Sequence, residues 1–443
     1  MVSWSWRRRS ATKSFPVDED EQYKFQHIEE NISAPEFQSV LLLRAIRQPY
    51  EATASYAVPV PQLDSEMLVM VKAVGLNPID WKAPDYNFGI PTLPYVAGRE
   101  FVGTIIQVSK THNSRLKEGD LVIVPSTDYR DLRKAAFQEY SIASTFNAIR
   151  VPRQISTASA SILGVAFVSA ALALGICMGV GFEKIEDGPD LLKVVRNINP
   201  ESLPVDMRQE CLEGIGNYEQ AKADDFLVIW GGSSTCAHAM KQIARLAGLR
   251  IISVVDGAKH GLRLSTHTTA RPDLLVDSHD PERAIDIIKT ATNNRARFGF
   301  DTIGKETAGH LLRALAPPSS NITSLPKDQR NTDRKDSTLP TPPSTPLVVS
   351  LESPRAHLVG LTGLPKGDLP EGLALHSVPI KLFHEVPEVG EALSGWCERL
   401  LLKGLFVPPD VVGTVDGLTG INEGLDRMRR REISGGRLVA VLR

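Results

Sequence analysis

The sequence predicts an α/β protein built on a doubly wound parallel sheet, preceded by a compact β domain. Two short apolar runs, 226–230 and 251–255, bracket a glycine–serine turn and a stretch in which Ala237, Met240, Ile243, Ala244 and Ala247 recur at helical spacing. After Asp256, strand-like and helix-like segments keep alternating, as crossover units of a parallel sheet require. Before this region, from Val40 to Ile149, the apolar runs are short and punctuated by Pro, Gly and Asn, the signature of a β domain.

In chain order, residues 1–37 read as a disordered tail. Arg7-Arg8-Arg9 is followed by Asp18-Glu19-Asp20-Glu21, too acidic for a transit peptide. Strands are expected at 40–45, 67–74, 101–108 and 120–124. Residues 154–182 carry no charge, and 162–181 are long enough to cross a bilayer. That run is rich in Gly, Ala and Ser, however, and reads as a buried helix of a globular protein. Residues 183–222 are polar and acidic, with Gly188-Pro189 and Asn199-Pro200, and read as an insertion with a short helix near 189–196. Beyond Asp256 the expected order is strand 273–276, helix 281–291, strand 297–302 and helix 306–316. Residues 317–347 are dominated by Pro, Ser, Thr and Asn and read as a disordered loop. Strand 357–361, helices 387–403 and 420–431 and a closing strand 437–442 complete the chain. The β domain is thus drawn from 38–165 and 379–443, and the parallel-sheet domain from 166–378.

With 443 residues the chain is too long for one typical domain, and its net charge of −2 gives no electrostatic case for nucleic acid or an acidic membrane. Cys177, Cys211, Cys236 and Cys397 are dispersed without a C-x-x-C pair. They read as reduced thiols of a cytoplasmic protein.

The chemistry concentrates in the turn Gly231-Gly232-Ser233-Ser234, continued by Thr235 and Cys236. A side-chain-poor turn between strand and helix lets a pyrophosphate approach backbone N–H groups where the helix dipole favours an anion. It departs from G-x-G-x-x-G, since Ala237 replaces a later glycine. Asp256 closes the second strand, where an acid takes the ribose hydroxyls of NAD. Lys259, His260 and Arg263 follow and could instead neutralise a 2′-phosphate, so the choice stays open.

Ordered landmarks then carry a resemblance: VGLNPIDWK (74–82), PYVAGREFVGTI (94–105), EGDLVIV (118–124), FQEYSIA (137–143), the IWGGSS turn, GFDTIG (299–304) and EISGGRLVAVL (432–442). Together they resemble the medium-chain dehydrogenase/reductase superfamily, and most nearly its zinc-free quinone oxidoreductase-like and fungal trans-acting enoyl reductase members. The resemblance implies a GroES-like β domain with a Rossmann domain and an active site in the cleft. It implies hydride transfer from NADPH, with NADH as the alternative, to a quinone or enoyl group, in the setting of fungal secondary metabolism. It further implies a small-molecule substrate, carrier- or thioester-bound in some relatives, and a monomer or homodimer.

Zinc-dependent members have a cysteine within VGLNPID and G-H-E where this chain has Gly98-Arg99-Glu100. Arginine stays protonated and cannot ligate a metal, and no cysteine precedes Cys177, so neither catalytic nor structural zinc is expected. Glu100 is expected to pair with a nearby base. By resemblance, Lys82, Asn77 and Ser169 are the catalytic candidates. Asp80, Trp81, Gly231, Gly232, Ser233, Ser234, Thr235, Cys236, Asp256, Lys259, Ser278, Gly304, Gly360, Leu361 and Gly435 are the cofactor-binding ones. Ser278 stands where many relatives have a tyrosine. Two other readings remain: a zinc-free alcohol or aldehyde dehydrogenase of a biosynthetic pathway, and a catalytically idle nucleotide-binding protein.

Overall fold

A computed structural model describes residues 24–28, 33–108, 115–315, 354–367 and 369–442. The expected loop 317–347 and most of the expected tail lie outside the described residues. The described chain forms two compact units, one from residues up to Val165 together with Gly390 onward, the other from Ala166 to Val389.

The second unit is organised by six parallel strands. Phe226–Trp230 lies at the centre, with Arg250–Val255 and then Leu274–Asp277 on one side. Phe298–Asp301, Ala356–Gly360 and Leu373–Ser377 follow on the other. Central parallel strands are covered on both faces, which is why FLVIW, RIISVV and AHLVG are almost wholly apolar and buried. Helices Thr235–Leu246, Gly257–Ser265, Pro281–Thr292 and Lys305–Leu315 make the crossovers. Asp256 and Asp280 cap two of them by accepting the N–H of Lys259 and Arg283. The order, with the chain reversing direction from the central strand, is that of a Rossmann sheet.

The first unit has a seven-stranded sheet around Glu66–Gly75 and Glu100–Val108, with the final strand Arg437–Val441 beside Glu66–Gly75. A three-stranded sheet formed by Glu51–Ala57, Phe37–Leu43 and Tyr95–Val96 packs into the same apolar core. Residues 24–28, assigned to the tail by sequence, belong to this unit. Phe25 is buried beneath the Arg150 guanidinium, 4.0 Å from its ring centroid, and bridges to Pro152.

The apolar run becomes helix Thr157–Cys177, whose most hydrophobic window is 94% buried inside the protein. Its last turn, Ala173–Cys177, is a π-helix. The insertion holds helices Leu191–Asn197 and Arg208–Glu213. Sequence patterning missed helix Pro78–Tyr86 and strands Leu373–Ser377 and Val411–Asp416. The helix is only nine residues long and contains Pro84. The strand LALHS carries a buried His376, and VVGTVD alternates on an edge, so neither has the apolar content of a central strand.

Candidate functional site

The carboxyl edge of the Rossmann sheet carries the candidate nucleotide-binding turn. Gly231 has φ +78°, and a Cβ there would stand 2.3 Å from Thr302 Oγ1; at Gly232 it would stand 1.9 Å from Ser253 Oγ. The turn is therefore restricted to glycine by close packing on two neighbouring strands. Ser234 caps the following helix by accepting the Ala237 N–H at 3.1 Å, and its hydroxyl bonds Thr302 Oγ1 at 3.1 Å. Gly231 and Gly232 both donate to Val254 O, and Ser234 donates to Gly231 O. Ser233 N–H has no acceptor among the described residues, which leaves it available to an anion at the helix N-terminus. Thr235 and Cys236 form the buried first turn of that helix.

Beneath the turn lies a residue the sequence reading missed. Lys241 is fully buried, and its Nζ donates to Gly232 O at 2.8 Å. Burial, with Arg263 adding to it, pushes its pKa down to about 7. The helical period hid it, because Lys241 sits among apolar neighbours where a polar residue is normally read as solvent-facing.

At the next strand end, Asp256 Oδ1 is occupied by the Lys259 N–H at 2.9 Å, while Oδ2 lies 3.8 Å from His279 Nε2. Lys259 itself is exposed, and Ser278 N–H donates to Val255 O. Asp277, also unanticipated, accepts the Gly257 N–H at 2.8 Å and pairs with His279 at 3.1 Å; these hold its carboxyl down to about 2.

The same edge opens a cavity of about 390 Å³ lined by Ser169, Gly360, Leu361, Thr362, Gly363, Ser377, Val378 and Ile380. The structure thus brings Ser169 together with Gly360 and Leu361. Gly304 lies close by, its amide donating to Asp301 Oδ1 at 2.8 Å. A second cavity of about 420 Å³, beside Asp224, Phe226, Arg295 and Arg297, opens at the amino ends of the strands. Ligands of open parallel sheets bind at the carboxyl edge, so the first cavity is the candidate site.

In the other unit, Asn77 and Asp80 are drawn into a buried polar knot. Asn77 Nδ2 donates to Gly75 O at 3.1 Å and to Glu100 Oε1 at 3.0 Å, and Arg437 donates to Asn77 Oδ1. Arg437 also binds Glu100 Oε1 at 3.1 Å, and Val165 N–H binds Glu100 Oε2 at 2.9 Å. The base paired with Glu100 is therefore Arg437, which lies far away in sequence. Asn77, taken as catalytic by resemblance, uses both ends of its amide inside this knot. Asp80, taken as a cofactor ligand, is 2% exposed and accepts the Asn77 N–H at 2.7 Å through Oδ2, while Oδ1 has no partner among the described residues. Burial raises its carboxyl to about 7 against the pull of the Asn77 N–H, Arg99 and Arg437.

Lys82 remains half-buried, its Nζ 5.7 Å from the Trp81 ring centroid; Arg429 lies 5.9 Å from the same ring. Gly435 occupies a positive-φ turn before the last strand of this unit. The residues at the metal-binding motif do not fit a catalytic zinc. Arg99 stacks over Tyr129 at 5.2 Å and offers no lone pair, and Glu100 is engaged by Arg437, Asn77 and Val165. Elsewhere, folding does assemble a set of donors that the linear sequence did not reveal: Cys177, Glu210 and His376 have ligand atoms within 4.8 Å of one another.

Comparison with known proteins is consistent with this architecture. Residues 63–153 match the model of the alcohol dehydrogenase GroES-like domain. The chain is 26% identical to a trans-enoyl reductase, caaB, of Aspergillus niger over 86% of its length and 91% of the relative's. It is also 26% identical to the trans-enoyl reductase gkaC of Penicillium citrinum, over 88% and 94%. Among solved structures, an alcohol dehydrogenase superfamily protein from Novosphingobium aromaticivorans superposes with TM-score 0.64 at 16% identity, covering 92% of this chain and all of that one. A mycobacterial protein, Rv1454c, complexed with NADPH superposes with TM-score 0.60 at 16% identity, covering 91% and 99%.

Proposed function

We propose that the chain is an NAD(P)H-dependent oxidoreductase of the medium-chain dehydrogenase/reductase superfamily, of the enoyl/quinone reductase type, and that it reduces the conjugated double bond of an enoyl or quinone acceptor using NADPH. The observation that carries this reading is the Gly231–Ser234 turn on the same sheet edge as the Ser169 cavity. The turn residues and Ser233 N–H hold the pyrophosphate, and Asp256 with Lys259 meets the adenosine ribose. When bound, the reduced nicotinamide supplies a hydride to the electron-poor carbon of the acceptor. The Ser169 hydroxyl, which lines that cavity, is positioned to donate a hydrogen bond to a carbonyl oxygen that gains charge. In the amino-terminal unit, Lys82 is the candidate whose cation is not tied into the polar knot, and we assign it a hydrogen-bond- or proton-donating role. The substrate is a small molecule, carried as a thioester where the named relatives' chemistry applies, and the enzyme acts in the cytoplasm as monomer or homodimer without zinc at Arg99.

The test follows nucleotide oxidation by chelator-treated protein, with NADPH and NADH in parallel and a simple quinone set against an enoyl thioester. Turnover with NADPH is expected, and the preferred acceptor selects the subclass. Tight nucleotide binding with no turnover on either acceptor would favour the idle-protein reading, and activity that needs added zinc even when Cys177 is replaced by serine would overturn the argument from Arg99. Lys82→Ala is expected to lower turnover by one to two orders of magnitude, roughly the range of a lost general acid; unchanged kinetics would remove Lys82 from the site.

A further inference from the structure

We propose that Cys177, Glu210 and His376 form a binding site for a single zinc-like divalent cation that fastens the 183–222 insertion to the edge of the Rossmann sheet. The three donors come from separate segments: the π-turn ending the buried helix, the helix Arg208–Glu213 of the insertion, and the edge strand Leu373–Ser377. A π-turn inside an α-helix is a frequent mark of a functional position. Here it places Cys177 Sγ 3.9 Å from Ser377 O, the residue after His376.

Two of the three donors already touch, and buried groups hold them in place. His376 Nδ1 lies 2.8 Å from Glu210 Oε1, and its Nε2 lies 2.9 Å from His357 Nδ1. His357 Nε2 in turn faces Glu219 Oε2 at 3.9 Å, and Glu219 is held by Arg355 at 2.8 Å. His357 is fully buried, so the ring of His376 is held between His357 and Glu210. A proton would satisfy two of the three groups. A divalent metal engages all three, since Cys177 Sγ is also within 4.8 Å.

The donor chemistry matches such an ion. One thiolate and one carboxylate cancel a 2+ charge in a buried place, and neutral imidazole completes an S, N, O set suited to zinc. Metal–donor bonds of about 2.0–2.3 Å put tetrahedral ligand atoms roughly 3.4–3.8 Å apart, so each donor moves by about an ångström. The Cys177 thiol, pushed well above its ordinary pKa by burial and by Glu210, loses its proton as the Sγ–metal bond forms, and one H⁺ leaves to solvent. His376 Nε2 lies 2.9 Å from His357 Nδ1, the kind of outer contact that orients a ligating histidine.

The full-length protein, stripped with chelator, is titrated with Co²⁺ and read by its near-ultraviolet thiolate-to-cobalt charge-transfer absorption, with proton release recorded in weak buffer. One equivalent is expected to bind, with the band present and a proton released. Cys177→Ser should abolish the band, whereas Cys397→Ser should keep it. His357→Gln should keep the band but weaken affinity about 10- to 100-fold. Wild-type protein that takes up no Co²⁺, or a band that survives Cys177→Ser, overturns the proposal. The wild-type titration decides even if the variants fail to fold, and none of these readings depends on reductase activity.

Discussion

The Gly231–Ser234 turn and the Asn77–Glu100–Arg437 knot are both small polar assemblies at strand ends, yet they are built in opposite ways. In the turn, the recognition groups are backbone amides and side chains are kept out: the Cβ positions of Gly231 and Gly232 are already filled by neighbouring hydroxyls. In the knot the work is done by side chains, and almost every donor and acceptor is satisfied within the protein. Glu100 and Arg437 are 0% and 7% exposed at their side chains, so this ion pair has no room for a ligand. An open, side-chain-poor edge leaves backbone amides free for a ligand; a closed, saturated cluster leaves none.

The most drastic way to break this contrast is Glu100→Ala. It leaves the Arg437 guanidinium buried without its carboxylate and is expected to cost roughly 3–5 kcal/mol in denaturant unfolding. The nucleotide affinity of the fraction that remains folded should change little. A large affinity loss in well-folded protein would mean that the knot belongs to the site.

Lys241→Met should act in the other sense. The folded-state pKa of Lys241 is near 7, below its ordinary 10.5, so between those values the folded protein holds fewer protons than the unfolded chain. The penalty of burying this charge is complete below pH 7 and disappears as pH rises toward 10.5. Melting at pH 6 should therefore show the variant more stable by roughly 2 kcal/mol, a gain reduced by the lost bond to Gly232 O, and the two proteins should converge by pH 10. Its nucleotide affinity should fall more at pH 6 than at pH 9, because only the charged lysine attracts phosphate from beneath the turn.

Gly232→Ala tests the turn itself. With Cβ at 1.9 Å from Ser253 Oγ, the backbone has to shift, and a loss of at least tenfold in nucleotide affinity, about 1.4 kcal/mol, is expected by fluorescence titration. Adding Ser253→Ala should restore part of it. The smallest effect is expected from Asp256→Ala, which removes both a helix cap and an acid near the ribose site. Stability should drop by about 1 kcal/mol, and the ratio of NADPH to NADH efficiency should rise several-fold. An unchanged ratio would restrict Asp256 to capping.

Most of the parallel sheet was legible in the sequence because central strands and crossover helices carry strong local patterns. The element limits for 226–230 coincide with expectation, and those for 281–292 and 298–301 differ by one residue at one end or both. The candidate site was legible where recognition is by backbone, since Gly231 and Gly232 announce a close approach in the sequence itself. It was illegible where a side chain's role depends on a distant partner. Asn77 looked catalytic because Arg437, 360 positions away, cannot be paired with it by inspection. Nothing in the sequence singled out Lys241 until the helix was packed, and Asp277 and His279 acquired meaning only when their strand came beside Asp256.

The sequence by itself therefore determined the two-part α/β plan, the glycine turn after the central strand and the unsuitability of Arg99 for zinc, because these rest on local propensity, glycine and the fixed charge of a guanidinium. Only the tertiary structure decided which polar groups are saturated and which are left facing a cavity. Only it joined Cys177, Glu210 and His376, since desolvation and pairing are properties of packed neighbours that no single segment carries.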